Sequence, residues 1–344
     1  MKKLIIFLSF VLANSIFAQN YNDFAREIFF GRLPGAKTEA MGRILTLNFD
    51  PYFVSQSNPA NLVSTKGAAV FYSNSSPFYG YTDATYNYAG VSYNNPTIGA
   101  FAFNFLVFNT GSTIFIPQWG EPFTVPFEEK RYIYTLTYSY KIQNWFSFGV
   151  NANLFVADFG TDETFSDTFF EIGLSRNFSV IQNSELKDEL TIATQLKNIF
   201  NQSFSTVDQA QADAFPSIFR IGVSNSIEYT DTDVFEKSYL FGFTIGLEYQ
   251  DLLNSGKRTA YKVGGELSFL DIIFLRSGYY NETTYSSEGE LGDFTYGFGL
   301  KLDFEKYITN NFPLVLIFDF VTLEQPSYWD NFTTFTLIAI YGID

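Results

Sequence analysis

The feature that most constrains the fold is a regular alternation of apolar and polar residues, which begins near residue 67 and recurs to the end of the chain. Segments of roughly ten residues carry large apolar side chains at every second position, and turn-rich stretches separate these segments. Because successive side chains of a β-strand point to opposite faces, each segment predicts a strand with one apolar face. The chain is therefore expected to be all-β.

Segments 132–140, 239–250 and 294–304 show the alternation most clearly. Aromatic residues stand at both ends of each apolar row, and the opposite row is made of small or polar residues, with glycines in two of the three segments. A soluble β-sandwich also alternates, with its apolar face in a shared core. Aromatic girdles are typical instead of a membrane barrel, whose apolar face meets lipid. We therefore predict a transmembrane antiparallel β-barrel.

The alternation places about fourteen strands, and an even number is what single-chain bacterial barrels have. With both ends of the barrel domain in the periplasm, odd-numbered connections should be long and face outward, whereas even-numbered ones should be short. The connection 178–188 is longer than this rule expects. The predicted strands are 67–74, 86–94, 98–108, 131–142, 145–159, 167–177, 189–198, 216–230, 237–250, 259–269, 271–281, 293–304, 312–322 and 330–342.

The start of the chain has the form of a secretory signal peptide that is removed after Ala18. Lys2 and Lys3 precede a short apolar stretch at 4–13. This stretch is too short for a membrane-spanning helix, so a helical anchor is the weaker alternative. Export combined with a barrel predicts the Gram-negative outer membrane, with outer-membrane lipid as a partner.

Residues 19–66 do not alternate, and they are too many for a simple tail. Irregular backbone is tolerated inside a barrel, where protein and water surround it. We therefore predict a signal peptide at 1–18, an N-terminal plug at 19–66 and a transmembrane barrel at 67–344.

The sequence contains no cysteine and no histidine, and its net charge is −15. Without histidine, Ser-His-Asp and Cys-His catalysis and the commonest zinc sites are excluded. The acidic charge argues against nucleic-acid binding. We expect a protein that is not an enzyme and that needs no metal or other cofactor. A hydrolase with a carboxylate pair is the weaker alternative, since no pair stands out among the loop acids.

Several charged residues fall in the row that should face the lumen of the barrel. Their signs nearly balance, which favours hydrogen-bonded pairs that fill the interior. The alternative is a selectivity lining for a small solute, in which one sign would be expected to dominate. The predicted luminal charges are Arg131, Lys141, Glu171, Arg220, Glu228, Glu248, Lys262, Glu266, Arg276, Lys301 and Asp303.

One predicted outer loop, 114–127, is apolar, aromatic and rich in proline. Exposed apolar patches mark binding surfaces or lids. We expect this loop to act as a lid or to contact a partner, although a loop that merely caps the barrel mouth would have the same composition. Its candidate contact residues are Phe115, Trp119, Phe123 and Phe127.

Two motifs in the plug and two near the C-terminus carry a resemblance to a known family. Residues 35–43 read Gly-Ala-Lys-Thr-Glu-Ala-Met-Gly-Arg, and 57–62 read Ser-Asn-Pro-Ala-Asn-Leu. Residues 274–279 read Phe-Leu-Arg-Ser-Gly-Tyr, and 296–300 read Tyr-Gly-Phe-Gly-Leu. Together they resemble the PorV/PorQ-like branch of the FadL-like outer-membrane barrels, a branch of the Bacteroidetes. The plug positions that match are Gly35, Ala40, Met41, Gly42, Asn58, Pro59, Ala60 and Leu62, and Arg43 stands where the signature has a second glycine.

The second plug motif also has a physical interpretation. Pro59 fixes its own φ and favours an extended or turn conformation at Asn58. The Asn58 side chain can then bond backbone groups of the plug, although an ordinary turn before the first strand would have the same sequence.

The resemblance implies two functions of different classes. A PorV/PorQ-like protein takes part in type IX protein secretion at the cell surface, with secretion-system proteins or cargo domains as partners. A FadL-like channel instead takes up fatty acids or other hydrophobic small molecules. The predicted outer loops are short for such a channel, so the secretion role is our first expectation and uptake is the alternative.

Overall fold

A computed structural model of the protein describes fourteen stretches of the chain. The predicted signal peptide and residues 19–34 of the predicted plug lie outside them, as do Trp119 and Phe127. The described residues are 35–76, 84–109, 113–115, 123–125, 130–143, 145–158, 164–200, 203–205, 212–230, 239–253, 259–283, 290–308, 312–323 and 332–342.

Fourteen strands form a closed barrel in which every neighbouring pair is antiparallel. Closure comes from pairing of the first strand with the last, so no edge strand is left unpaired. The barrel strands are β1 (Ala68–Ser76), β2 (Thr85–Asn95), β3 (Gly99–Asn109), β6 (Lys130–Gln143), β7 (Phe146–Asp158), β8 (Thr164–Gln182), β9 (Leu186–Lys197), β12 (Ile218–Tyr229), β13 (Phe241–Leu252), β14 (Thr259–Phe269), β15 (Ile273–Thr283), β16 (Glu290–Asp303), β17 (Leu314–Leu323) and β18 (Phe332–Tyr341).

The structure confirms the predicted all-β class and the count of fourteen strands, and each predicted strand overlaps one observed strand. The predicted end of the sixth strand at residue 177 is wrong. Strand β8 continues to Gln182, and a short turn at 183–185 leads into β9, so the expected long connection 178–188 does not exist. The register shifts between Ser179 and Ile181, as at a β-bulge, and such a shift interrupts the alternation that the prediction relied on.

We call the end of the barrel where β1 begins and β18 ends the inner end, and the opposite end the outer end. Two outer connections contain short two-stranded hairpins that the sequence did not predict. One joins β4 (Thr113–Phe115) to β5 (Phe123–Val125), and the other joins β10 (Ser203–Ser205) to β11 (Ala212–Ala214). In the first hairpin the backbones of Phe115 and Phe123 are paired.

The helical elements of the described residues are short. They are α1 (Ala36–Ala40), a 3-10 helix (Pro59–Ser64) and α2 (Phe304–Tyr307), which connects β16 to β17. In the part of the chain that the structure describes, no helix has the length and apolar character needed to span a membrane.

The two faces of the strands differ in burial and chemistry. Large apolar side chains on the outward face are exposed, for example Val70 at 61% and Leu136 at 63%. The alternate residues point inward and are buried, and many of them are polar or charged. The apolar rows therefore form a belt around the outside of the cylinder, whereas the polar rows line its lumen.

Candidate ligand-binding lumen

Residues 35–66, which we call the luminal segment, lie inside the barrel. The segment is almost entirely buried and hydrogen-bonds to the wall in several places. The backbone N–H of Ala36 donates to Thr336 Oγ1 at 2.9 Å, and that of Ser55 donates to the Tyr88 hydroxyl at 3.3 Å. Ala36 and Thr336 are 300 residues apart in sequence, so the closed barrel brings this pair together.

The first anchor of the luminal segment is the stretch from Ala40 to Gly42. It packs on three wall glycines, which we call the glycine patch: Gly264, Gly278 and Gly297. A Cβ atom on Gly264 would lie 2.3 Å from Met41 O, and one on Gly278 would lie 2.1 Å from Gly42 N. The backbone of the segment therefore touches the backbone of the wall, and any side chain in the patch would collide with it.

Gly42 itself needs to be a glycine for two reasons. Its φ is +70°, and a Cβ atom there would lie 2.4 Å from Val263 O. The wall residue Thr295 fixes the same turn, because its Oγ1 accepts from Gly42 N at 3.2 Å and donates to Ala40 O at 2.8 Å.

Arg43, which stands where the resembled signature has a second glycine, adopts a left-handed conformation with φ of +61°. Such a conformation costs about 1 kcal/mol for a residue with a side chain. Two contacts offset this cost. Arg43 Nε lies 3.1 Å from Glu39 Oε2, and its guanidinium lies 3.6 Å from the centre of the Tyr280 ring.

Between the two anchors, a wall carboxylate holds the luminal backbone. Glu248 Oε2 accepts from Leu45 N at 2.8 Å and from Thr46 N at 2.6 Å. The other oxygen of Glu248 lies 3.1 Å from Lys262 Nζ, so the negative charge is partly neutralised in the interior.

The second anchor is Asn58, which is fully buried. Its Nδ2 donates to the carbonyl oxygens of Thr46, Leu174 and Thr194 at 3.1 to 3.2 Å. Its Oδ1 accepts from Ala60 N at 3.0 Å and caps the 3-10 helix. The side chain therefore bonds the luminal segment, as its position before Pro59 suggested, and also strands β8 and β9 of the wall.

Glycines again make room for this anchor. A Cβ atom on Gly173 would lie 1.8 Å from Asn58 Oδ1, and one on Gly149 would lie 2.3 Å from the carbonyl carbon of Pro59. Of the other motif residues, Gly35 precedes α1 as its N-cap, and Leu62 is buried in the 3-10 helix against Val54. The motif residues thus lie along the contacts between segment and wall.

The predicted luminal charges all lie on the inner face. Arg131, Glu171, Arg220, Glu248, Lys262, Glu266 and Arg276 are buried. Glu228, Lys301 and Asp303 line a cavity at the inner end, and Lys141 lines a smaller cavity beside it.

Many of these charges form pairs, as in a lumen whose interior is filled by hydrogen-bonded side chains. Arg276 bonds both Glu266 and Asp319, and Lys37 of the luminal segment lies 3.1 Å from Glu266. In a second group, Glu171 lies 3.6 Å from Lys197.

Two paired residues of the wall, Lys197 and Asp319, are absent from the predicted set of luminal charges. Lys197 could have been predicted, because it belongs to the polar row of β9. Asp319 could not, because the other residues of its row in β17 are apolar: Val315, Ile317, Val321 and Leu323.

The cavity at the inner end, which we call the vestibule, has a volume of about 580 Å³. The luminal segment forms one side of it through residues such as Asp50 and Tyr52. Asp50 Oδ2 is buried and has no hydrogen-bond partner among the described residues. Burial raises the pKa of Asp50 to about 7, the Asp319 carboxylate adds to this effect, and Lys37 and Arg276 oppose it.

The outer half of the lumen is aromatic. Phe53 of the luminal segment stacks on Tyr88 with ring centres 4.8 Å apart and lies 5.4 Å from Phe71. Phe215, from an outer connection, lies 4.9 Å from Phe169. We call the buried wall and loop rings here the aromatic cluster: Phe71, Tyr86, Tyr88, Phe108, Phe155, Phe169 and Phe215.

The described residues contain no group of three or more Asp, Glu, His or Cys side chains arranged to hold a metal ion. The outer half of the lumen is thus filled by packed aromatic rings, whereas charged residues line the vestibule at the inner end.

Comparison with known proteins finds similarity at the level of solved structures. The Ralstonia pickettii toluene transporter TbuX is 11% identical, covering 89% of this chain and 96% of its own, with a TM-score of 0.45. The Pseudomonas putida toluene transporter TodX is 10% identical, with coverage of 94% and 98% and a TM-score of 0.44. A Pseudomonas aeruginosa FadL homologue is 10% identical, with coverage of 90% and 98% and a TM-score of 0.47. No family model and no curated protein matches the sequence.

Proposed function

We propose that this protein is an outer-membrane β-barrel of the FadL-like transport type, and that it binds a small hydrophobic molecule in the aromatic cluster. Its outward belt of exposed apolar side chains supports the membrane location, because lipid tails solvate such a surface and water does not. In this location the inner end faces the periplasm and the outer end faces the exterior. The proposal keeps the protein non-enzymatic, as the absence of histidine and cysteine indicates.

The observation that carries the proposal is the aromatic interior of the outer half. Membrane barrels ordinarily have a polar lumen. Here Phe155, Phe169 and Phe215 pack together below the outer connections. An apolar molecule that entered from outside would exchange water for ring faces, which is favourable.

The luminal segment separates the aromatic cluster from the charged vestibule. Phe53 contacts the cluster, whereas Asp50, three residues earlier, faces the vestibule. A molecule that binds the rings must therefore pass the segment to reach the periplasm. We infer that movement of this segment controls release.

Equilibrium dialysis of the full-length protein in detergent tests the binding site, with toluene and decanoate as ring-shaped and chain-shaped probes. The variant Phe169→Ala removes an inward ring of the cluster. We expect it to bind the preferred probe up to tenfold more weakly, the loss that one aromatic contact of about 1 kcal/mol produces.

Phe170→Ala is the matched control, because Phe170 is the next residue of the same strand and its side chain is 37% exposed on the outward face. We expect this variant to bind like the wild type. If neither probe is retained, or if both variants behave alike, the aromatic cluster is not a ligand site.

A second function is favoured by a different observation. The luminal segment is anchored on opposite walls by the residues that resemble the PorV/PorQ signature, Ala40 to Gly42 and Asn58 to Ala60. A barrel filled in this way suits a membrane anchor whose outer surface holds secretion-system proteins or cargo domains. In that role the lumen would admit no solute.

Planar-bilayer conductance of the refolded protein, combined with pull-down from detergent-solubilised membranes, separates the two functions. Uptake predicts retained probe and a conductance that rises when the luminal segment is loosened. The secretion role predicts a lumen that conducts no ions and retains no probe, together with co-purified secretion components or cargo C-terminal domains.

A further inference from the structure

Charged side chains are scarce on the outward face of the described barrel strands. Only two cations occur there. Lys130 lies at the outer end, opposite Asp158 of the neighbouring strand. Arg176 lies near the inner end, and its neighbours Ser175 and Asn177 line an internal cavity, which places Arg176 on the outside. A cation inside an apolar belt is costly unless an anion meets it.

Two aromatic rings lie against the Arg176 guanidinium. Its Cζ atom is 4.4 Å from the centre of the Trp145 ring and 4.3 Å from that of Phe178. Such contacts hold a guanidinium by cation–π attraction and leave its N–H edges available. Among the described residues, no carboxylate lies within ion-pair distance of Arg176.

The height of Arg176 along the barrel is also informative. It pairs with Phe146, the first residue of β7, and Trp145 lies in the turn that precedes this strand. This is the level at which β6 ends and β7 begins, whereas β8 continues to Gln182. Aromatic residues of membrane barrels mark the boundary between lipid tails and head groups, so Arg176 lies at the height of the head groups of the inner leaflet.

We propose that Arg176, held by Trp145 and Phe178, binds the phosphate group of a phospholipid of the inner leaflet. A guanidinium donates two parallel N–H bonds to a phosphate, which a lysine cannot do. The exposed apolar side chains of Leu174 and Ile192 beside Arg176 would contact the acyl chains of the same lipid. The inference rests on the proposed membrane location and is independent of any ligand in the lumen.

Native mass spectrometry of the full-length protein in an uncharged glycoside detergent tests this site. The probes are dimyristoyl phosphatidylglycerol, dimyristoylglycerol, which has the same chains without the phosphate, and inorganic phosphate. We expect the wild type to retain the phospholipid about tenfold more strongly than the diacylglycerol, as a charge-assisted bidentate contact would produce. Retention of both lipids to the same degree would overturn the proposal, and so would a preference for inorganic phosphate.

Arg176→Gln is expected to abolish the preference for the phospholipid, and Arg176→Lys to retain only part of it. Lys141→Gln is the matched control, since Lys141 is a cation of the same rim that faces the lumen; this variant should keep the full preference. Folding of each variant is checked by the heat-dependent shift of the barrel on a gel. An unchanged preference in a folded Arg176→Gln protein contradicts the lipid site alone, whereas solubility of the wild type without detergent contradicts the membrane location itself.

Discussion

The two anchors of the luminal segment hold one chain to opposite walls of the barrel by different means. At the first anchor, the turn at Gly42 lies directly on the backbone of β14 and β15, and the fit depends on glycines in the wall. At the second, a single side chain, Asn58, bonds carbonyl groups of β8 and β9 as well as its own segment. The first anchor is mainly a matter of shape, and the second is mainly a matter of hydrogen bonds.

This difference affects how the luminal segment can detach from the wall at each anchor. Close packing fails abruptly, since a single added methyl group has no space to occupy. Hydrogen bonds can be exchanged for water once water reaches them. If the luminal segment moves during transport, we expect it to swing away from Asn58's wall while remaining on the glycine patch.

The largest expected effect comes from filling the glycine patch. In Gly264→Ala the new Cβ would lie 2.3 Å from Met41 O, a backbone atom that cannot rotate away. We expect a loss of about 3 kcal/mol in the free energy of unfolding, or displacement of the segment with higher conductance. Urea denaturation in lipid vesicles and planar-bilayer recording measure the two outcomes.

The next residue supplies the control for this experiment. A Cβ on Gly265 would have its nearest neighbour at 3.7 Å, which is ordinary contact. Gly265→Ala should therefore change stability by less than about 0.5 kcal/mol. Equal effects of the two substitutions would show that the first anchor does not depend on shape.

A smaller effect is expected at the second anchor. Asn58→Ala leaves the carbonyl groups of Thr46, Leu174 and Thr194 without this donor, and we expect a loss of roughly 2 kcal/mol. Asn61→Ala is the comparison, since Asn61 donates only to Thr46 O and should cost about half as much. Hydrogen exchange of residues 57–62 in the two variants measures this, and a greater loss in Asn61→Ala would reverse the assignment.

The barrel could be predicted from the sequence because the two faces of each strand have different surroundings. Apolar residues outside and polar residues inside impose the alternation, and the alternation reveals the strands. It failed at β8, where the register shift near Val180 places successive residues out of phase. A register shift of this kind cannot be recognised from an alternation of apolar and polar residues.

The anchors could be predicted only in part. Both motifs drew attention to Gly42 and Asn58, but their partners, such as Gly278 and Gly173, lie more than 100 residues away in sequence. Which glycine receives which residue depends on the path of the luminal segment through the closed barrel. The conformation of Arg43 could not be predicted for the same reason. Its left-handed backbone is compensated by Tyr280, which lies on the distant strand β15.

The most condition-dependent effect concerns Asp50, which lies between the two anchors. Its pKa of about 7 is above the ordinary value of 3.8, so the folded protein holds this proton more tightly than a released segment does. The contribution of Asp50 to stability is therefore greatest below about pH 4 and is lost progressively as the pH rises to 7. Above pH 7 the loss is complete, because Asp50 is then ionised in both states.

Asp50→Asn removes this titration. We expect protease cleavage within residues 45–56 to increase between pH 4 and pH 8 in the wild type, and to increase less in the variant. Glu228→Gln, which alters another carboxylate of the vestibule, is the control and should follow the wild type. If the variant and the wild type show the same pH dependence, then Asp50 does not govern the segment, and its hold on the barrel comes from the two anchors alone.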